Sequence, residues 1–276
     1  MLPIYVISLP NAMERRRNAS AQLHTQSVDF EFFDAFDGER GAELFDRCDE
    51  QAFVLHTGRA TTAGEIGCFA SHKALWQRCI ESNKNIMIME DDFTLAANFA
   101  KAVVVSEALI SQLGLLRLQD ERRGRSKPIM QVAGFQLERY TKTPHCTMCY
   151  SITPRIAERL LNIHKVYCAP VDVAMKQVWT FGNPMYCLTP YTVSGSDLFL
   201  ESMIGNRDKC RKRLLIRLRR TWLKFRWQWR RLQFNLRQDD EALRRRGAPH
   251  GRQAPRQTQA STRTATTVAS NHGNSS

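Results

Sequence analysis

The sequence lacks an apolar run long enough to cross a bilayer. Its longest uncharged stretch, Gln177 to Ser196, is interrupted by Asn183, Pro184, Pro190 and Gly195 and is not predominantly apolar. It also lacks a basic region at its amino terminus: MLPIYVISLPN is broken by Pro3 and Pro10 and reads as a first strand rather than a signal peptide. Paired cysteine spacing is scarce. Of the eight cysteines only Cys146 and Cys149 have ligand-like spacing, and one such pair does not complete a zinc site. A chain of 276 residues needs no disulfide staples, so the thiols are expected to be reduced, as in a cytosol. Acidic residues are nearly missing from the last quarter: from Arg207 onward there are 19 basic and 4 acidic residues, whereas the first 206 carry 21 and 23. A near-neutral part of globular composition is therefore joined to a strongly basic one.

In the near-neutral part, β-rich and helical patterns alternate. Ile4 to Leu9 reads as a strand, Asn11 stands where a helix cap would, and MERRRNASAQLHTQ reads as a polar helix; VDFEFFDAFDG is a second strand ending in a turn at Asp37-Gly38. Residues 41 to 60 read as a linker with short helical potential. Thr62-Ala63-Gly64-Glu65 fits a capping box, and the segment after it places Ile66, Phe69, Ala70, Trp76 and Ile80 near one helical face. A strand NIMIMEDD follows, then a helix from about Ala97 to Leu113, a basic loop ERRGRSKP, strands IMQVAGFQL and CTMCYSI, and a helix PRIAERLLNIHK opening on Pro154. Such alternation predicts an α/β sheet with ligands at the carboxyl ends of its strands.

One of those ends is unusual. NIMIMEDDFTL runs four apolar residues into Glu90, Asp91 and Asp92, so a buried strand stops on three adjacent carboxylates. Like charges repel there unless solvent, basic side chains or a bound cation compensates them, and a hard divalent cation selects oxygen ligands of this kind. A solvated strand end, or a helix cap near Thr94, is the plainer alternative.

Four stretches in order carry a resemblance to glycosyltransferase family 25, the lipopolysaccharide and lipooligosaccharide sugar transferases that also include collagen galactosyltransferases. They are IYVISLPNAMERR at 4 to 16, FFDAFDG at 32 to 38, GEIGCFASHKALW at 64 to 76 and IMIMEDDF at 86 to 93, with weaker echoes in CYSITPRIAERLL at 149 to 161 and PVDVAM at 170 to 175. The likeness covers roughly residues 4 to 206, and it departs from the family at Ser8, where asparagine is frequent. The resemblance implies a GT-A-like nucleotide-sugar-binding domain, a Rossmann-like mixed sheet flanked by helices, with Mn²⁺ or Mg²⁺ held by an acidic motif and a UDP-sugar as donor. On that reading Asp92 is the direct metal ligand, Glu90 the second, and Asp91 contacts sugar or ribose. Arg15 falls on the family's arginine position and would meet phosphate or base, or else belongs to a solvated run with Arg16 and Arg17. Asp37 and Gly38 would hold the nucleotide side of the pocket, or form a plain turn. Ser71 and His72 match the family's Ser-His pair, with His72 orienting the diphosphate or an acceptor hydroxyl, or simply packed or capping.

Similar enzymes mostly transfer galactose from UDP-galactose with inversion, which requires a base on the acceptor side. Asp172 is the first choice, in the first turn of a helix whose dipole keeps it ionised but also weakens it as a base; Asp197 and His72 are its rivals. The expectation is thus a cytoplasmic, metal-dependent, inverting transferase acting on a lipid-linked saccharide, peripherally associated with the inner membrane. A nucleotide-sugar hydrolase or nucleotidyltransferase would use the same metal logic, and a nucleic-acid-binding protein would use the basic tail instead, a reading given less weight.

The expected organisation is a catalytic domain over 1–206, a basic amphipathic helix over 207–240 and a low-complexity, disordered tail over 241–276. Leu215, Leu218, Trp222, Phe225, Trp229, Leu232 and Leu236 recur at spacings of three and four, and Lys209 to Arg237 holds twelve basic residues and three tryptophans. Such a helix suits an anionic membrane surface, each basic side chain contributing up to about 1 kcal/mol. Packing of the stripe on the catalytic domain, or in a coiled coil, fits the same spacing.

Overall fold

The fold is a mixed α/β arrangement built on a strongly apolar sheet. The structure, a computed structural model, describes residues 1–119, 124–195 and 214–247, with the side chains of the last segment described over 215–241. The chain begins β1 (Ile4–Ser8), α1 (Met13–Thr25), β2 (Glu31–Asp34), α2 (Gly38–Ala42), β3 (Arg47–Cys48), α3 (Glu50–Thr57) and α4 (Ala63–Ser82). It continues with β4 (Ile86–Glu90), β5 (Phe93–Leu95), α5 (Phe99–Leu113), β6 (Leu115–Arg117), β7 (Arg125–Val132), β8 (Phe135–Lys142), β9 (Cys149–Ile152) and α6 (Pro154–Ile163). Then come β10 (Val166–Tyr167), α7 (Val171–Met175), α8 (Val178–Phe181), β11 (Tyr186–Thr189), β12 (Val193–Gly195) and α9 (Leu214–Gly247). Residues Met1–Gln238 form one compact unit, and the chain from Asp239 onward falls in a second. Asp197 and the expected boundary at 206 lie outside the described residues, as does the chain beyond 247.

Eight strands form the main sheet in the order β2-β1-β4-β9-β6-β11-β8-β7. β1 runs parallel to β2 and β4, and β6 runs parallel to β11, while β9 lies antiparallel between β4 and β6. The carboxyl ends of β1, β2, β4 and β6 therefore share one edge with the amino end of β9. Period-two alternation divides the strand residues between two cores. Ile86 and Ile88 join Phe69, Trp76 and Leu160 on the α4 and α6 face, while Met87 and Met89 join Leu23, Phe99 and Ile110 on the α1 and α5 face. Burial on both faces is why β4 reads as a continuous apolar run.

Most expected elements are present, with instructive differences. The capping box is formed: Thr62 Oγ1 accepts from the Glu65 amide, and Glu65 reaches back to the Thr62 amide, both at 3.3 Å. Asn11 does not cap α1, which follows Ala12 without a side-chain cap. Asp37-Gly38 opens α2 rather than closing a simple turn, because the Asp37 carboxylate accepts from the Arg40 amide at 2.8 Å. The presumed linker 41–60 contains α3, capped by Asp49 and ended by Gly58 in the left-handed conformation. The single strand expected at IMQVAGFQL is a hairpin, turning at Ala133 and Gly134, both with positive φ. The seven described cysteines, Cys146 and Cys149 among them, are free thiols.

A buried histidine makes the fold pH-sensitive. His164 packs edge-on to Phe69, its Nε2 has no partner among the described residues, and burial followed by the charges of Lys73 and His56 lowers its pKa to about 4. Between about pH 6.5 and 4 the unfolded chain binds the proton that the folded chain refuses, so stability falls as pH drops through that window, by up to about 3 kcal/mol. His164→Leu should flatten the melting temperature against pH over this interval; an unchanged slope would place the dependence elsewhere.

Candidate active site

Alternation along β4 divides the acidic residues. Glu90 continues the face of Ile86 and Ile88 toward α4, and Asp91 turns toward α1. Asp91, buried, accepts a hydrogen bond from Ser8 Oγ at 2.6 Å and pairs with Arg15 at 3.3 Å, so both its oxygens are engaged. Ser8 thus holds the acidic motif directly. Arg16 is also drawn in from what sequence presents as a solvated run. Its guanidinium donates to the carbonyls of Ser8 and Leu9 and pairs with Asp34, fastening α1 across the ends of β1 and β2.

Glu90 accepts from Thr147 Oγ1 at 2.6 Å and lies 3.5 Å from His72 Nε2. His72 is fully buried, and a short network fixes its tautomer. Trp76 Nε1 can only donate, to Tyr150 Oη at 2.9 Å, and Tyr150 Oη lies 2.8 Å from His72 Nδ1. The buried tyrosine proton is satisfied only by donation to Nδ1, which leaves the imidazole proton on Nε2, facing Glu90. Cys68, one helical turn before His72, completes a cluster in which its thiol, His72 and Glu90 offer atoms within 4.8 Å of one another. Burial, then the charges of Glu90, Asp172 and Asp92, hold that thiol's pKa well above its ordinary value, so all three carboxylates act on one thiol.

Asp92 is the uncompensated member. One buried carboxylate oxygen has no partner among the described residues, and burial, then Glu90 and Asp91, push its pKa up to about 7 against the opposing pull of Arg15. A site that leaves a carboxylate in this condition fits a hard cation with oxygen ligands: Asp92 and Glu90 would hold it, while Asp91 is committed to Ser8 and Arg15.

Asp172 lies in α7 and accepts from His145 Nδ1 at 3.0 Å, and His145 Nε2 is 3.2 Å from Lys176 Nζ. Burial raises the Asp172 pKa, but the His145 hydrogen bond and the charges of His145 and Lys176 outweigh it, so the net shift is downward and the carboxylate stays ionised. The segment His145–Thr147 therefore bridges the site, touching Asp172 at one end and Glu90 at the other. Cys146 between them has φ 81°, a conformation strained for any residue but glycine. Arg117, buried at the end of β6, holds this segment by donating to the carbonyls of Pro144 at 3.3 Å, His145 at 3.2 Å and Cys146 at 2.5 Å. Removing those charge-assisted bonds should destabilise the fold by about 2–4 kcal/mol. We expect Arg117→Met to show this loss in chemical denaturation and to lower turnover; a variant as stable and active as the wild type would mean the segment holds its strained shape unaided.

Ser71 and Asp37 make local structural contacts of their own. Ser71 is fully buried, donating to the Gly67 carbonyl at 2.8 Å and accepting from the Phe36 amide at 3.0 Å, so it ties the segment after β2 to α4. Asp37 is exposed and caps α2, and Gly38 permits close packing, since a Cβ there would lie 2.4 Å from the Ala63 carbonyl. Sequence reasoning missed Cys68, Arg117, His145, Thr147 and Tyr150. Only Cys68 had a usable signal, its i,i+4 spacing from His72 on a confidently expected helix.

The fold and this edge define a class: an α/β protein with an acidic, partly uncompensated strand end and a second ionised carboxylate tied to it through one strained segment. Comparison with known proteins names the family. The profile of glycosyltransferase family 25 (LPS biosynthesis protein) matches residues 1–175, and the chain belongs to that family. It is 32% identical over 180 residues to a putative glycosyltransferase of Haemophilus influenzae (strain ATCC 51907 / DSM 11121 / KW20 / Rd), covering 62% of this chain and 60% of that one. It is 38% identical over 107 residues to the lipooligosaccharide biosynthesis protein lic2B of Haemophilus influenzae, covering 38% and 39% of the two chains. With procollagen galactosyltransferase 1-B of Xenopus laevis the identity is 26% over 184 residues, 61% of this chain and 30% of that one. The match thus spans from under a third to three fifths of these relatives' lengths.

Proposed function

We propose that the chain is a GT-A-like, metal-dependent, inverting glycosyltransferase that moves a hexose, galactose by analogy with its collagen-modifying relatives, from a UDP-sugar to a lipid-linked saccharide such as lipooligosaccharide. The observation carrying this is Asp92, a half-buried carboxylate with one buried oxygen that has no partner among the described residues and with a raised pKa, at the sheet edge where ligands of open α/β folds bind. Asp92 and Glu90 would hold Mn²⁺ or Mg²⁺, which when bound compensates the charge of the departing diphosphate. Thr147 orients Glu90 by a hydrogen bond, and His72 Nε2 lies 3.5 Å from it. Ser8 and Arg15 engage both oxygens of Asp91, which thereby braces β1 and α1 against the acidic motif.

Asp172 is the base. The acceptor hydroxyl gives its proton to the Asp172 carboxylate as its oxygen bonds to the anomeric carbon, and the bond from that carbon to the diphosphate breaks on the opposite face. A depressed pKa makes Asp172 weak toward a free alcohol, but the hydroxyl becomes acidic as its bond to carbon forms, so an oriented, ionised carboxylate suffices. His145 supplies that orientation, and His72, buried beneath Glu90, suits positioning rather than contact with an acceptor.

The family includes relatives named inactive, so turnover itself is the first measurement. A panel of UDP-sugars with and without Mn²⁺, read by UDP release and then by product on oligosaccharide acceptors, tests the proposal. Acceptor-dependent release from one donor supports it. Rapid acceptor-independent release to free sugar would make the chain a hydrolase instead.

A further inference from the structure

α9 has two unlike faces within the compact unit. The inner face is docked: Arg220 Nε donates to the Leu55 carbonyl at 3.2 Å, the Trp227 ring lies 5.3 Å from that of His56, Phe234 packs against the core, and Asn235 donates to the Thr141 carbonyl at 2.8 Å. At about 100° per residue, the stripe running from Leu215 through Trp222, Phe225 and Trp229 to Leu236 lies on the opposite side of the helix. Its large side chains are 50–68% exposed and make up half of the exposed large hydrophobic side chains among the described residues. Arg219, Arg226 and Arg230 border it along one margin, and no acidic residue lies between Lys209 and Gln238.

We propose that this outer stripe is the docking surface for an anionic lipid bilayer, lying in the plane of the interface while the inner face keeps the catalytic unit attached. Charge and shape select this occupant. Two copies paired through the stripe would bring their arginine margins together, whereas anionic headgroups neutralise that margin while the leucines and aromatics enter the acyl boundary. Nucleic acid would satisfy the arginines but leave the aliphatic side chains in water. The docked face also ties the stripe to the chemistry. Trp227 lies 5.6 Å from Lys176 Nζ, and Lys176 contacts His145, which holds Asp172. The bilayer would therefore fix the side from which a lipid-linked acceptor meets the proposed base. That last step rests on the proposed transferase activity, but binding to lipid does not.

The test uses the full chain and two vesicle compositions, phosphatidylcholine alone and phosphatidylcholine with about 30% phosphatidylglycerol, read by co-sedimentation at low and high salt. The wild type should partition onto the anionic vesicles, more weakly at high salt, and little onto neutral ones. The triple substitution Trp222→Ser, Phe225→Ser, Trp229→Ser should lower that partitioning at least tenfold with an unchanged melting temperature, since all three side chains are exposed. Arg219→Glu with Arg226→Glu should do the same with the apolar stripe intact. Equal vesicle binding by the triple variant overturns the proposal, as does a wild type that ignores anionic vesicles. In the latter case, a concentration-dependent dimer lost in the triple variant would identify a second copy as the occupant, and single-stranded RNA binding retained by it would identify nucleic acid. Because vesicle binding is read without donor or acceptor, an inactive protein that sediments with lipid would refute the proposed reaction and leave this surface standing.

Discussion

Asp92→Asn should abolish sugar transfer and cation-dependent binding of the UDP-sugar while leaving the melting temperature, measured in chelator, unchanged or higher. The two halves of this expectation share one cause. Asp92 is held against Glu90 and Asp91 with a buried oxygen that has no partner among the described residues, so its charge is a cost to the fold. Asparagine keeps the shape, removes the repulsion and removes the anionic ligand. A residue placed for stability would behave in the opposite way, losing melting temperature while sparing activity. Donor binding and transfer that persist both in the variant and in chelator would sink the metal reading. Loss of stability without loss of activity would make Asp92 a structural strand end.

The second large effect belongs to Asp172. Asp172→Asn should leave UDP-sugar affinity nearly unchanged and reduce turnover on the order of a hundredfold or more, because the amide cannot take the acceptor's proton. His145→Gln should fall between this variant and the wild type, since it weakens the orientation of Asp172 without removing the carboxylate. Donor dissociation constants by calorimetry, set beside single-turnover rates, separate the possibilities. Collapse of donor affinity in Asp172→Asn would assign the residue to the nucleotide pocket, and Asp197 would become the leading base.

An amino-terminal fragment ending near residue 206 is a less clean probe of the tail than the sequence alone makes it seem. It would strip Arg220, Trp227 and Asn235 from Leu55, His56, Lys176 and Thr141. Exposure of that surface would confound lipid binding with damage beside Asp172, which is why substitutions on the outer stripe are the better instrument.

The sequence by itself determined the elements whose signals are local. The Thr62–Glu65 box fixed the start of α4, and the unbroken apolar run fixed β4 as a strand buried on both faces. The three-four stripe of α9 was equally legible, because amphipathicity is a property of spacing alone. Only the tertiary structure decided which face of α9 docks: both carry apolar residues, and the choice depends on Leu55, His56 and Thr141, distant in sequence. It also decided which carboxylates are compensated. Asp91 and Asp92 are chemically identical neighbours, and what distinguishes them is that Ser8 and Arg15 reach one of them from 83 and 76 positions away in the chain. The link between Glu90 and Asp172 through His145 and Thr147 was hidden for the same reason. A strained segment held by a buried Arg117 has no periodicity and no turn signature, since its conformation is imposed by long-range hydrogen bonds and not by the preferences of its own residues.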